Sequence, residues 1–379
     1  VRIAIVGSRG IPARYGGFET CAEQISRRLA EAGHDVIVYC MRRYVGPARE
    51  SPPGVRRVFV PTIHHKGLEK PLFTWLSLAH AAANGADVVL ALGISGGPAT
   101  LLPRMLGKPV VTNIDGLEWQ RAKWGKLARG VLRLFEASAV RLSSAVVSDA
   151  SAIWSYCIRR YERRPWLIPY GAEVTAAEAG EMLDRLGLVA RCYFLVVGRL
   201  EPESNVDIII RAHGAVIDAH PLVIVGDAPY ANQYIARLKR MAGPNVVFAG
   251  YVFGRGYREL QSNAYAYISA TDIGGTHPAL LEAMAYGNCV IVSDIAEHRE
   301  IVGDTGLLFS AHQPDDLADK LHWVTYNPAQ ARALGERARG RARERYSWDA
   351  VAADYARLFE SCRNGHADGQ VRGERSPGS

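Results

Sequence analysis

Groups able to do chemistry cluster at a few glycine-rich turns in this chain. The densest is Thr271-Asp-Ile-Gly-Gly-Thr-His-Pro-Ala-Leu-Leu-Glu-Ala-Met-Ala-Tyr-Gly287. Gly274 and Gly275 let the backbone approach a ligand closely. Thr276 or His277 can cap a helix, Pro278 suits its first position, and Gly287 suits its end. A helix start presents N–H groups and the positive end of a dipole. The run Gly275, Thr276, His277, Pro278, Ala279 can therefore hold an anion such as a diphosphate. Glu282 lies one turn further on, placed to accept hydrogen bonds from sugar hydroxyls. The same stretch also reads as an ordinary loop–helix junction with a solvated glutamate and a capping histidine.

Four other turns carry similar chemistry. Gly16 and Gly17 precede a helical run and offer a second helix start, or a plain tight turn. Arg199, after an apolar strand, is a multidentate donor suited to phosphate, or a partner for Asp207 or Glu203. Gly226-Asp227 and Gly250-Tyr251-Val252 end two further strands and can wrap a nucleoside with backbone groups and an aromatic edge. Asp115 follows a strand and either orients an acceptor hydroxyl or caps the turn at Gly116. The first strand–turn lacks the G-x-G-x-x-G spacing, and the second strand ends in Tyr39-Cys40 rather than an acid. Both facts argue against a nicotinamide dehydrogenase, and no Walker motif supports a P-loop NTPase. With no D-x-D at a strand end and no third ligand beside His64-His65, neither a Mg²⁺ bridge nor a zinc site is expected.

Alternating short apolar runs and amphipathic stretches must position these turns. Strands are predicted at 3–6, 35–40, 57–61, 87–92, 109–114 and 145–148. Helices are predicted at 18–32, 73–83, 126–142 and 150–161. A last strand over 166–172 leaves a first domain of residues 1–172, followed by a linker with a short helix at 173–190. The alternation restarts with strands at 193–198, 222–226, 246–250, 264–269, 289–292 and 306–309, giving a second domain over 191–347. A closing helix at 348–362 and a disordered tail at 363–379 complete the chain. This is an α/β protein of two doubly wound domains, with ligands expected in the cleft beyond the carboxyl ends of the strands.

The chain has 379 residues, 48% apolar and 22% charged, as in a globular protein. No apolar run approaches the ~20 residues needed to span a bilayer. The N-terminal Arg2–Gly7 reads as a strand rather than a secretory signal, and six scattered cysteines suit a reducing cytoplasm. Charge is asymmetric: residues 1–170 hold 24 Lys and Arg against 12 Asp and Glu, and the remainder 21 against 26. A basic first half can attract anionic lipid or a phosphorylated substrate. Nucleic acid is not expected, because no recognition motif accompanies the charge.

Taken together, Gly198-Arg-Leu200, Val225-Gly-Asp227, Gly250-Tyr-Val252 and Gly274–Gly287 resemble the retaining glycosyltransferases of family 4, which have the GT-B fold. Gly7-Ser-Arg-Gly-Ile-Pro-Ala-Arg-Tyr-Gly-Gly-Phe-Glu-Thr20 with Asp115-Gly-Leu-Glu-Trp-Gln-Arg-Ala-Lys-Trp124 is similar to the bacterial rhamnosyltransferase branch of polysaccharide assembly. The resemblance implies a nucleotide-sugar donor, dTDP-rhamnose in that branch, and no required cofactor. Arg199 would grip the diphosphate, helped by backbone N–H groups at 276–280 and by Gly16 and Gly17. Glu282 matches the second glutamate of the family's E-x7-E pair, which holds the ribose. Two positions depart from the pattern: Gly274 stands where the first glutamate belongs, and Ser204 where a diphosphate-binding lysine belongs. The implied reaction retains anomeric configuration, the leaving diphosphate oxygen taking the acceptor's proton on the face of departure.

The implied acceptor is a polyprenyl-diphosphate-linked saccharide on the inner face of the cell membrane. Trp119, Arg121, Lys123, Trp124, Lys126, Arg129 and Arg133 form the densest basic–aromatic stretch, with Leu127, Val131, Leu134 and Phe135 on one helical face. That face either lies on an anionic membrane surface or packs on the sheet like most apolar stripes. His64-His65-Lys66 is a candidate acceptor contact. Two other readings stand beside transfer: a sugar-nucleotide 2-epimerase, and a nucleotide-sugar-binding module without turnover.

Overall fold

The computed structural model describes residues 1–13, 16–46, 51–65, 67–120, 124–228, 231–272 and 275–365. The expectations for Lys66, Arg121, Lys123, Gly274 and the tail beyond 365 lie outside the described residues. The chain divides into two compact units, one of residues 1–170 joined by the chain from Trp348 onward, the other Gly171–Ser347.

The first unit is built on β1 (Arg2–Val6), β2 (Asp35–Cys40), β3 (Val55–Phe59), β4 (Val88–Leu92), β5 (Val110–Ile114), β6 (Ala145–Ser148) and β7 (Trp166–Leu167). They form one parallel sheet in the order β3-β2-β1-β4-β5-β6-β7. Ile3 sits opposite Val36 on one side and Val88 on the other. Every residue of β4 and β5 is buried, which is why these strands are continuous apolar runs instead of alternating ones. The order reverses direction between β1 and β4, the switch point at which doubly wound sheets bind ligands.

The second unit has β8 (Phe194–Val197), β9 (Leu222–Val225), β10 (Val246–Gly250), β11 (Ala266–Ser269), β12 (Cys289–Ser293) and β13 (Leu307–Phe309), parallel and ordered β10-β9-β8-β11-β12-β13. Its core gathers Phe194, Ile209, Leu222, Ile224, Ile268 and Ile291 with the apolar faces of the covering helices. Among the described residues no helix is long and apolar enough to cross a membrane.

Three sequence expectations shift. β3 starts two residues earlier than expected, because Val55 is the buried residue of this edge strand and Pro61 has no N–H to give. The strand expected over 166–172 pairs only at Trp166 and Leu167; Pro169 breaks the donor pattern. The stretch 173–190, read as linker, is docked on the second unit. Its helix Glu181–Leu186 is held by Glu259, whose Oε1 accepts from the N–H of Gly180 at 2.9 Å and of Leu183 at 2.8 Å.

The last helix, Trp348–Arg363, belongs to the first unit. Asp349 meets Arg28 at 2.6 Å, and Asn113 Nδ2 donates to Tyr355 Oη at 2.6 Å. The segment Ile94–Thr100 is a helical turn kinked at Gly97. The Phe135 ring fills the space beside that glycine.

Candidate active site

In the second unit the loops leaving β8, β9, β10 and β11 emerge at the same edge of one parallel sheet, so Arg199, Asp227, Tyr251 and the 270–277 loop share that edge. Backbone hydrogen bonds lock them together. Gly198 N–H donates to the Val225 carbonyl at 3.0 Å, and Gly226 N–H to the Gly250 carbonyl at 2.8 Å. Gly226 has φ +133, and a Cβ there would lie 1.8 Å from the Gly198 oxygen, so no other residue fits. Tyr251 Oη donates to the Asp227 carbonyl at 3.1 Å. Its ring stacks on Phe253, centroids 5.8 Å apart, and both rings are exposed. Phe253 thus widens the aromatic edge expected from Tyr251 alone, while Val252 turns inward and is buried. Asp227 spends Oδ1 on its neighbour, accepting from the Ala228 N–H at 2.8 Å.

Arg199 pairs with neither acid expected. Its guanidinium stands 3.5 Å from Glu201, while Asp207 is taken by Arg237 at 2.8 Å and by Tyr234. Ser204, where the resembled pattern has a lysine, donates its hydroxyl to the Arg199 carbonyl. It fixes the turn that presents the arginine. The turn is in turn tied to the next loop, since Asn205 Nδ2 donates to the Ala270 carbonyl at 3.0 Å and Thr271 Oγ1 to the Glu203 carbonyl at 3.2 Å.

The helix Pro278–Tyr286 starts and stops where the sequence places it, with Pro278 in its first turn and Gly287 at φ +80 as its cap. The His277 side chain does not cap it. His277 occupies the cap position by its backbone, and its carbonyl accepts from Leu280 and Leu281 at 3.0 and 3.1 Å. The N–H groups available to an anion are therefore fewer than the run 276–280 promised, since Pro278 has none and that of Leu280 is used.

The His277 ring is committed elsewhere. His298 Nδ1 lies 2.8 Å from the Ser293 carbonyl, which can only accept, so Nδ1 carries the proton. Its Nε2 then accepts from His277 Nδ1–H at 2.9 Å. Burial, and after it His277, pushes the His298 imidazole down to about 3, so this fully buried ring stays neutral.

Glu282 faces a polar cluster that sequence reasoning missed. Tyr257 donates its hydroxyl to Glu282 Oε2, and Gln261 Nε2 donates to Tyr257 Oη at 3.0 Å. Tyr257 and Gln261 are one turn apart on the helix Gly254–Ser262, and that i, i+4 spacing was their only sequence signal. Burial pushes the Glu282 carboxyl up to about 7, the Tyr257 hydrogen bond pulling the other way. Burial, then the Glu282 charge, raises the Tyr257 phenol well above its ordinary value. Glu282 is an acceptor oriented from below, which suits the hydroxyl of a ligand.

In the first unit, Gly16 is extended and the helix Gly17–Glu31 follows it without a side-chain cap. Asp115 follows β5 and accepts from Tyr170 Oη at 2.9 Å. Glu19, from the first turn of that helix, is buried and accepts from the Arg9 N–H at 2.7 Å.

Two family models cover most of the chain: residues 16–171 match the glycosyl transferase 4-like domain, and 191–327 match the glycosyl transferases group 1. The chain belongs to the GT-B glycosyltransferases. It is 25% identical to a glycogen synthase of Mycobacterium tuberculosis over 98% of this chain and 97% of that one. It is 27% identical to the D-rhamnosyltransferase WbpZ of Pseudomonas aeruginosa over 59% of each chain. Its fold is similar to that of Anabaena HepE in complex with UDP, with a TM-score of 0.75 and 16% identity, covering 95% of this chain and 99% of that one. As a glycosyltransferase, it carries its two matched domains on the two sheets described above, and Arg199, Glu282 and the Tyr251–Phe253 pair lie within the group 1 domain.

Proposed function

We propose that this glycosyltransferase moves rhamnose from dTDP-rhamnose, with retention, onto a polyprenyl-diphosphate-linked saccharide at the inner face of the cell membrane. The observation that carries donor binding is the edge of the second sheet, where Arg199 and an aromatic pair emerge from strand-end loops and an oriented carboxylate stands on the helix Pro278–Tyr286. Arg199 holds the diphosphate and stabilises the charge that grows there as the glycosidic oxygen departs. Glu282 accepts from the sugar of the nucleoside, and Tyr251 with Phe253 stacks the base. The departing oxygen takes the acceptor's proton, so no side chain must act as nucleophile. Asp115 orients the acceptor hydroxyl from the first unit, and no metal or cofactor is needed.

The donor sugar rests on the rhamnosyltransferase-like motifs and on the likeness to WbpZ. A UDP-sugar donor is the competing reading, favoured by the likeness to UDP-bound HepE. A panel of dTDP-, UDP- and GDP-sugars with membranes carrying polyprenyl-linked saccharides tests both. Turnover with dTDP-rhamnose, giving a product whose anomeric configuration by NMR matches the donor, is the expected result. Turnover confined to UDP- or GDP-sugars overturns the donor assignment, and donor binding without any turnover leaves a binding module.

Membrane docking draws on the helix Lys126–Leu142. Leu127, Val131 and Leu134 lie on one face at i, i+4 and i+7, and Leu127 is 85% exposed. The exposure of that face supports the membrane reading. Phe135 turns inward and stacks on Trp75. Trp119 and Trp124 are tied by their indole N–H groups to Glu136 and Glu118, so the leucines and the basic Lys126 and Arg133 form the surface. Met105 and Leu106 are exposed as well, and the adjoining Arg104 donates to the Leu142 carbonyl at 3.1 Å, at the far end of the helix.

A further inference from the structure

Lys70 is a cation placed where several physical terms disfavour it. It stands in the first turn of the helix Glu69–Ala83, beside the positive end of that helix's dipole. Its ammonium lies 4.7 Å from the centre of the Phe18 ring, in the first turn of the helix that follows Gly16 and Gly17. Gly93, at the carboxyl end of β4 with φ +85, leaves the room. A Cβ there would lie 3.7 Å from Lys70 Nζ and 3.0 Å from the Phe18 ring. Lys70 is thus at the switch point of the first sheet, between two helix N-termini.

Among the described residues no carboxylate forms an ion pair with Lys70 and no acceptor takes a hydrogen bond from its ammonium. Glu19, Glu118 and Asp115 act on it only from a distance, Arg9 repels it, and burial outweighs them all in lowering its proton affinity. Each of those carboxylates has a partner of its own: the Arg9 N–H for Glu19, the Trp124 indole for Glu118 and the Tyr170 hydroxyl for Asp115. A part-buried ammonium without a counter-ion costs stability, and such a cost is retained where a ligand removes it.

We propose that Lys70 is an anion-binding residue that, with the uncapped N-terminus of the helix Gly17–Glu31, takes a phosphoryl group of a diphosphate. The ligand class rests on the reading above that both substrates carry a diphosphate. Phe18 supplies the ring on which the lysine stem and ammonium rest, and Gly93 keeps the approach open.

The test is calorimetric titration of the full chain with inorganic pyrophosphate, in an Arg199→Ala background that mutes the second unit. Adding Lys70→Met is expected to weaken binding roughly tenfold or more, the worth of a charge-assisted contact, and Lys70→Arg to restore most of it. The melting temperature of Lys70→Met is expected to match or exceed that of the parent. Unchanged pyrophosphate affinity overturns the proposal, and so does a variant that melts below the parent, which marks Lys70 as a support of the fold. Repeating the titrations with dTDP and with a water-soluble short-chain prenyl diphosphate separates the sources. The arm that loses affinity names the substrate whose diphosphate Lys70 holds. If no sugar transfer is found in any donor panel while Lys70→Met still loses pyrophosphate, the functional reading fails and the site stands.

Discussion

The carboxyl edges of the two sheets are built on opposite plans. In the second unit the site groups are held by chains of hydrogen bonds: Gln261 to Tyr257 to Glu282, His277 to His298 to the Ser293 carbonyl, and Ser204 to the Arg199 backbone. In the first unit, charges of both signs stand near one another, and the ammonium of Lys70 has no ion pair among the described residues. The first plan fixes orientation before a ligand arrives, which is what a site stabilising developing charge requires. The second leaves a charge to be satisfied by the ligand, a design suited to capture. The difference predicts that substitutions in the second unit act on turnover and local stability, and those in the first on binding.

The largest effect is expected at Arg199. Its guanidinium is 35% exposed and, among the described residues, pairs with Glu201, so Arg199→Ala should fold normally. Losing the charge at the diphosphate should lower kcat by roughly 10²–10³-fold, the range seen for removing one stabilising donor at a developing charge. A full kinetic comparison at saturating donor checks this. A change confined to KM would mean that the arginine binds ground state and transition state alike.

Glu282 comes next. Its folded-state carboxyl titrates at about 7 because of burial, against ~4.3 for an unperturbed glutamate. A carboxyl raised in this way favours the folded state while protonated. Its contribution is fully present below about pH 4 and is lost as pH rises towards 7. Glu282→Gln should therefore flatten the stability profile between those values, seen as melting temperature against pH. The ionised form is the better acceptor for a ribose hydroxyl, so nucleotide affinity should rise through neutral pH in the parent and stay level in the variant. An identical pH dependence in both proteins would remove Glu282 from the ribose contact.

How much of this was readable beforehand follows the same contrast. The sheets were legible because buried parallel strands are short, continuous apolar runs, as at β2 and β6. The glycine turns and Arg199 were legible because their chemistry is local to a few residues. Tyr257, His298 and Lys70 were not. Each acts through a partner distant in sequence: Tyr257 on Glu282, His298 on His277, Lys70 on Phe18. The apolar face of Lys126–Leu142 was ambiguous for a related reason, since periodicity shows that a stripe exists but not which way it points. The linker was misjudged because Glu259, the residue that docks it, lies some eighty positions further on.

A smaller effect is expected at His298. His298→Ala removes the acceptor for His277 Nδ1–H and strands the Ser293 carbonyl in a buried setting. A cost of ~1–3 kcal/mol is expected for a buried polar group left without its partner, read as a shift in denaturant midpoint. His298→Asn keeps a donor for that carbonyl and should recover part of it. The counterpart in the first unit is Lys70→Met, where stability should hold or rise. If both substitutions destabilise alike, the contrast between the two edges is wrong.

The smallest effect on the enzyme itself, and the cleanest separation of functions, is expected on the outward face of Lys126–Leu142. Leu127 and Leu134 are exposed, so changing both to glutamate should alter fold stability by no more than ~0.5 kcal/mol each. Turnover of a water-soluble acceptor should be unchanged, because neither leucine is among the groups assigned to donor or acceptor. Sedimentation with vesicles containing anionic lipid should fall several-fold, since each change removes apolar contact and adds a charge of the repelled sign. Activity on acceptor embedded in those vesicles should fall with it. Vesicle binding that survives both substitutions would return the leucine face to ordinary surface and leave the basic charge of the first unit to serve Lys70's ligand alone.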